Sequence, residues 1–425
     1  MRHIVLFPLI VGLVCSCSGE DIGTISDGPL YVNKHRVIKD AGADVKDASV
    51  PDATKDAVAD VYVNDSAVDA GSFYPLTPPD NTQGWLSTVS NKIYWNGSIW
   101  MGRGANIPDT RKCWGTNTAT QEWITSAQAN LIINAATHSY NSCSNGVQSG
   151  WQSNFVRLTL GTYVSDAGDF IKDAAYRQNV INIVNNLATK RVGPNHDRPV
   201  YVEISIWHDP SMPPNEVPTT ATTGPTSGSS ITMQQLWEDI SSVFYNYPYV
   251  VYGISNEPNT VSNEQAAWQR YDDVVNAIRT KETYWSQQFG QATPNNHIIA
   301  VQGLNNWARD IAFFTGSGET MGPNVVYEVH CYNSQSDFSS LWETPSLSIP
   351  VIICEFGPDG TYMTQADIQP MMNAAEQYQV PYMGWYFQTD DCSPGMLSTE
   401  NLGTGCIDVA PTTWGSSLKN QLASH

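Results

Sequence analysis

Two glutamates in this chain stand where a carboxylate is hard to account for unless it works. Glu257 comes at the end of Tyr-Gly-Ile-Ser-Asn-Glu-Pro and Glu355 at the end of Val-Ile-Ile-Cys-Glu-Phe-Gly-Pro, each closing an apolar stretch. A carboxylate drawn into an apolar interior is costly, whereas one at the mouth of a sheet can face a substrate. Two such groups about 5 to 5.5 Å apart hydrolyse a glycosidic bond with retention. One attacks as an anion, while the other gives a proton to the departing oxygen and later takes one from water. Other hydrolytic chemistries lack their residues. No G-x-S-x-G offers a serine nucleophile, and the histidines show no H-E-x-x-H spacing for a metal.

The elements that must position this pair can be read from the alternation of short apolar runs with longer amphipathic ones. Residues 99–106, 155–160, 201–207, 249–256, 298–303, 325–331, 351–357 and 382–387 read as strands. Between them lie stripes such as Val180, Ile183, Val184 and Leu187, or Leu236, Ile240, Val243 and Phe244, spaced for one buried helical face. Strands apolar on both faces and separated by helices imply a parallel sheet covered by helices. Repeated eight times, the unit closes as an α/β fold of the (β/α)8 TIM barrel type. Ahead of it, Asn96-Gly97 between two short apolar runs predicts an N-terminal hairpin with a type I′ turn. Residues 213–230, rich in Pro, Thr, Gly and Ser, predict a long rim loop after the third strand. The fourth and seventh strands lie across such a barrel, so Glu257 and Glu355 are expected to meet at its mouth.

Asn-Glu-Pro after the fourth strand and Glu-Phe-Gly after the seventh resemble glycoside hydrolase clan A, most closely family 5, over residues 92–425. The resemblance implies Glu257 as acid/base and Glu355 as nucleophile, with no metal or other cofactor. It implies that Arg157, in Asn-Phe-Val-Arg-Leu-Thr, keeps the nucleophile ionised, and that His208, after Ile-Ser-Ile-Trp, lines the subsite of cleavage. It further assigns Asn256 to the sugar 2-hydroxyl, His330 to the substrate or the acid/base, Tyr332 to Glu355, and Trp385 to the floor beneath the sugar. His330 and Tyr332 are two apart in a strand, so they share a face and Cys331 points away. Trp307, just after the fifth strand, is a further subsite candidate, and Asn106 after the first strand joins them by position. The activity implied is retaining, endo-acting hydrolysis of a β-1,4-linked polysaccharide, with cellulose or another β-glucan as the substrate. β-Mannan and xylan are the alternatives within the clan, and a noncatalytic carbohydrate-binding surface lipoprotein is the alternative outside catalysis.

Composition narrows the partners. Lys and Arg number 21 against 41 acidic residues, a net charge of −20, so phosphate-rich partners such as nucleic acid are excluded and a neutral polymer is favoured. Residues 4–14 form an apolar run too short for a hydrocarbon layer of roughly 30 Å, and they read as the core of a signal peptide over residues 1–17. Val14-Cys15-Ser16-Cys17 resembles a bacterial lipobox, so a secreted or surface-anchored monomer touching membrane only through a lipid on Cys17 is expected. Residues 18–72, with recurrent Asp and no apolar period, read as an acidic disordered linker, and residues 73–425 as the catalytic domain. Proximity in sequence makes Cys113 with Cys143, and Cys392 with Cys406, the expected loop staples. Cys331 and Cys354 are expected to point outward, either paired or, by preference, as thiols under helices. Residues 112–150 and 390–406 match no motif of the family and are expected as rim loops near the cleft.

Overall fold

In a computed structural model of the chain, the structure describes residues 73–80, 82–110, 124–161, 168–206, 220–222, 230–259, 261–316, 320–389 and 393–425. The expected signal peptide, lipid anchor and acidic linker lie outside the described residues, as do His208, Cys113 and Cys392.

Eight runs dominated by apolar residues form the strands β1 (Arg103–Ile107), β2 (Phe155–Leu160), β3 (Tyr201–Ile206), β4 (Val250–Gly253), β5 (Ile299–Gln302), β6 (Val325–His330), β7 (Val351–Glu355) and β8 (Tyr382–Gly384). Each pairs in parallel with its sequence neighbours, and β8 pairs with β1, which closes the barrel. Nearly every strand residue is buried, because helices cover one face and the barrel interior the other. The first strand starts later than its sequence suggests. Ile99 pairs with Tyr94 in the preceding hairpin, and the chain enters the barrel at Arg103.

After α1 (Ser126–Ala136) and the short α2 (Asp169–Lys172), the helices follow the expected stripes. Asp173 caps α3 (Ala174–Ala188) by accepting from Ala175 and Tyr176 N–H, and Val180, Ile183, Val184 and Leu187 are fully buried on its inner face. Burial of each such side chain stabilises by about 1.5–3 kcal/mol. Thr232 caps α4 (Met233–Val243) in the same way, and Asn263 caps α5 (Glu264–Gln288). Between β6 and β7 the connection is made of short helical turns at Gln335–Asp337, Ser339–Glu343 and Pro345–Leu347.

The hairpin Lys92–Trp95 and Ser98–Ile99 turns through Asn96 and Gly97, both at positive φ, and Leu86–Val89 adds a third strand. It leads into Trp100, whose ring meets Phe155 and Tyr201 edge-on at 5.0 and 5.2 Å. Those are the first residues of β2 and β3, so this element closes the end of the barrel opposite the mouth.

Three expectations about cysteines and loops are corrected. Cys143 pairs with Cys406, with Cα atoms 5.1 Å apart, which rules out both Cys113 with Cys143 and Cys392 with Cys406. Proximity in space between two hairpins decided the pairing, and proximity in sequence did not. Within residues 112–150, the structure places helix α1 (Ser126–Ala136) and a hairpin of Ser139–Ser142 with Gly146–Ser149. That hairpin lies between α1 and β2, and His138 beside it contacts His196 in the connection between α3 and β3, 4.8 Å away. Both belong to the end opposite the mouth, so the hairpin is not a rim loop. The disulfide ties it to the hairpin of Leu397–Leu402 with Ile407–Pro411.

Candidate active site

Arg157 stands at the centre of the barrel interior, fully buried on β2. The register sets Asn106 of β1 on one side of it and Glu203 of β3 on the other. All its donors are used. Nε donates to Glu203 Oε1 at 3.1 Å, Nη1 to Glu355 Oε1 at 2.6 Å and to Asn106 Oδ1 at 3.2 Å, and Nη2 to Ser205 Oγ at 2.9 Å and Asn256 Oδ1 at 2.8 Å. Burial alone would disfavour the guanidinium charge, but the Glu328 and Glu355 carboxylates hold it firmly charged.

Glu355 ends β7 with a second partner on its other oxygen, since the Tyr332 hydroxyl donates to Oε2 at 3.0 Å. His330 Nδ1 lies 3.5 Å from that same oxygen and 3.0 Å from Glu257 Oε1. One carboxylate oxygen of Glu257, one of Glu355 and a ring nitrogen of His330 lie within 4.8 Å of one another. The two carboxylates therefore meet across the mouth at close range, as their strand positions require. Glu257 is the more open of the two, with 23% of its side chain exposed against 5% for Glu355.

Glu257 is held in an unusual backbone state, with φ of 51°. Its N–H donates to the Gln302 side-chain oxygen, and the next turn, Asn305–Asp310, bonds back to the same loop. Asn306 and Ala308 N–H donate to the Asn259 and Pro258 carbonyls, and Ala308 in turn accepts from His330 N–H. This bracing fixes a left-handed conformation that would otherwise cost of order 1–3 kcal/mol. Trp307, half-buried in that turn, stands beside the mouth.

Trp385 follows β8 and stacks on Tyr386 with centroids 4.4 Å apart. Its backbone N–H donates to the carbonyl of Phe356, the residue after Glu355, at 2.9 Å, which ties the end of β8 to the end of β7 beside the carboxylate pair. Seven of the site residues expected from sequence, Glu257, Glu355, Arg157, Asn256, His330, Tyr332 and Trp385, are thus brought together, and Asn106 joins them through Arg157. His208 lies outside the described residues.

Beneath this layer is a second, which sequence reasoning missed. Glu203, Glu328 and Gln302 are all fully buried in the barrel interior. Gln302 donates to Glu328 Oε1 at 2.7 Å, and His330 Nε2 lies 3.0 Å from the same oxygen. Cys354 belongs here too, against expectation: its thiol donates to Glu203 Oε2 at 2.9 Å. The reason is a bulge, because Ile353 pairs with Val329 but Glu355 pairs with His330, leaving Cys354 as an extra residue that turns inward. Cys331 is a buried free thiol whose neighbour is Trp342, outside the barrel, as expected. The signal for Glu203 and Glu328 was a charge inside an apolar strand, and Glu328 also shares the face of His330 two residues on.

The charges form a consistent set. Burial opposes a charge on His330, but Glu355, with the hydrogen bonds to Glu257 and Glu328, carries its imidazole up to about 10. Burial pushes the Glu355 carboxyl above its ordinary range, against the pull of His330 and Arg157. Burial acts on Glu328 in the same way, yet Arg157 and His330 bring it below its ordinary range. Glu203, buried and facing Glu328, is pushed up to about 8, so near neutral pH it is an uncharged acid.

A family model described as Cellulase (glycosyl hydrolase family 5) matches residues 104–391. The chain is 24% identical over 293 residues to an endoglucanase of Microbulbifer sp. (strain ALW1), covering 64% of this chain and 49% of that protein. It is 22% identical over 298 residues to a cellulase of Thermoanaerobacterium sp., covering 62% of this chain and 66% of that one. The chain thus spans about half to two thirds of the length of these relatives. In fold it is similar to a β-glucanase of Saccharophagus degradans solved with cellotetraose, at a TM-score of 0.57 and 20% identity over 83% of this chain and 97% of that one. Because the family match runs through the barrel strands and over more than half of its length, this chain belongs to glycosyl hydrolase family 5.

Proposed function

We propose that the chain is a retaining, endo-acting β-1,4-glucanase with Glu355 as nucleophile and Glu257 as acid/base. The observation that carries this reading is that the two carboxylates each bring an oxygen within 4.8 Å of the other across the barrel mouth, in keeping with the short spacing of double displacement. In the first step a Glu355 oxygen attacks the anomeric carbon, the bond to the leaving oxygen breaks, and Glu257 gives that oxygen its proton. In the second, Glu257 takes a proton from water, whose oxygen displaces Glu355 from the sugar. Arg157 and Tyr332 each hold one oxygen of Glu355, which supports attack along a fixed line. Asn256, itself held by Arg157, faces the sugar 2-hydroxyl, Trp385 carries the sugar ring, His208 lines the subsite of cleavage, and Trp307 lines a further subsite. The names of the Microbulbifer and Thermoanaerobacterium relatives support a β-glucan substrate.

Export also belongs to this proposal, supported by the apolar run of residues 4–14 and by Cys17, which would carry a lipid. Labelled fatty acid should enter the full chain and be lost in Cys17→Ala; equal labelling of both would remove the anchor.

The substrate is tested by hydrolysis of carboxymethylcellulose, mixed-linkage glucan, galactomannan and xylan, with Glu355→Gln as the blank. The two glucans should lose viscosity ahead of reducing-end release, and the blank should be inert. Cleavage of mannan or xylan alone overturns the substrate, and activity surviving in the blank overturns the catalytic assignment.

A further inference from the structure

Glu203 sits one layer below the reacting groups and touches both Arg157, which holds Glu355, and Cys354, which precedes it in the chain. Its Oε1 accepts from Arg157 Nε at 3.1 Å, and its Oε2 accepts from the thiol of Cys354, the residue bonded to Glu355, at 2.9 Å. The Nε contact is the one at the root of the guanidinium. It sets the plane in which Nη1 reaches Glu355 and Nη2 reaches Asn256. The barrel makes room for this carboxyl: a Cβ on Gly253 of β4 would stand 2.3 Å from Glu203 Oε1, so glycine there accommodates the side chain from the neighbouring strand.

We propose that Glu203 is a positioning residue for hydrolysis, clamping Arg157 and Cys354 together so that the Glu355 carboxylate and the Asn256 amide are held at fixed angles to the sugar. It touches no substrate. The inference rests on the reading of Glu355 as nucleophile and adds a residue that acts through Arg157. The charged or titratable groups facing Glu203 are Arg157 from β2, Glu328 from β6 and Cys354 from β7. As an uncharged acid near neutrality, Glu203 is matched in shape and charge by glutamine: the side-chain oxygen can still accept from Arg157 Nε, and the amide NH2, standing where the acid's O–H would, can donate to the Cys354 sulfur.

The test compares Glu203→Ala, Glu203→Gln and Gly253→Ala with the parent chain on whichever polymer the parent cleaves, reading kcat, KM, the pH profile and thermal unfolding. A loosened carboxylate costs about 100-fold in rate. Glu203→Ala is expected to lose that much in kcat with little change in KM, and to move the acid limb of kcat/KM to higher pH. The limb moves that way because a displaced Arg157 no longer favours the ionised form of Glu355. Glu203→Gln should recover most of the lost kcat and restore the limb. Gly253→Ala should impair kcat alone but add little in the Glu203→Ala background, since the 2.3 Å clash with the carboxyl is then absent and the 3.1 Å approach to Ser205 Cβ is all that is left. If Glu203→Ala does not fold, Glu203→Gln and Gly253→Ala still decide. An acid limb and kcat untouched by alanine, or glutamine as damaging as alanine, overturns the proposal. So does additivity of Gly253→Ala with Glu203→Ala. Glu355→Gln in the same assay tests the underlying reading separately, because it must be inactive whatever Glu203 does.

Discussion

Tyr332→Phe removes one oxygen atom from the site and leaves the ring in place. That oxygen donates to Glu355 Oε2 at 3.0 Å, and the remaining cation near that carboxylate oxygen, His330 Nδ1, stands at 3.5 Å. A hydrogen bond to a charged partner contributes about 1.5–3 kcal/mol. At about 1.4 kcal/mol for each factor of ten, the variant should lose about 10- to 100-fold in kcat/KM on its polymer. The pH profile carries a second signature. Burial holds the Glu355 carboxyl above its ordinary range, and the Tyr332 hydroxyl is among the groups that oppose this. Without the hydroxyl the carboxyl moves further up, so the acid limb of kcat/KM moves to higher pH. The assay is initial-rate kinetics across the acidic and neutral range, with thermal unfolding recorded to show that the barrel is intact. A variant with unchanged kcat/KM and an unmoved acid limb would refute the reasoning that Tyr332 sets the charge and aim of Glu355.

Glu257→Ala should slow substrates with poor leaving groups far more than activated aryl glycosides, which need no protonation to depart; equal losses on both would remove its role as acid. Glu203 also makes a prediction about stability. Burial and the Glu328 charge raise its carboxyl from 4.5 to about 8, so between those values the folded chain keeps a proton that the unfolded chain releases. Stability contributed by this group is therefore present below that window and falls as pH rises through it. Glu203→Gln removes the titration, and its melting temperature should decline less than the parent's over the window. Parallel curves in a scan of melting temperature against pH would show that Glu203 is charged in the folded chain.

The barrel was legible because its strands are apolar on both faces and its helices carry one buried stripe, patterns that local sequence states outright. The upper layer of the site was legible for a related reason: Glu257, Glu355, His330 and Tyr332 are polar residues at strand ends, where function is the ready explanation. Glu203 and Glu328 were not, since a carboxylate within an apolar strand makes sense only when its partner on another strand, Arg157, is known to face it. Cys354 was misread because alternation assumes a regular ladder, and the bulge opposite Val329 and His330 breaks it. The disulfide was misread because Cys143 and Cys406 stand 263 residues apart, a distance that sequence proximity cannot bridge.

The central claim is that two carboxylates work on one glycosidic bond from close range. Proton NMR of the sugar released in the first moments of hydrolysis reads the outcome, before mutarotation scrambles the anomers. Carboxylate atoms within 4.8 Å predict that the new reducing end appears first as the β-anomer, the configuration of the bond that was cut. First appearance of the α-anomer would mean direct attack by water, and would contradict a glycosyl-enzyme formed on Glu355.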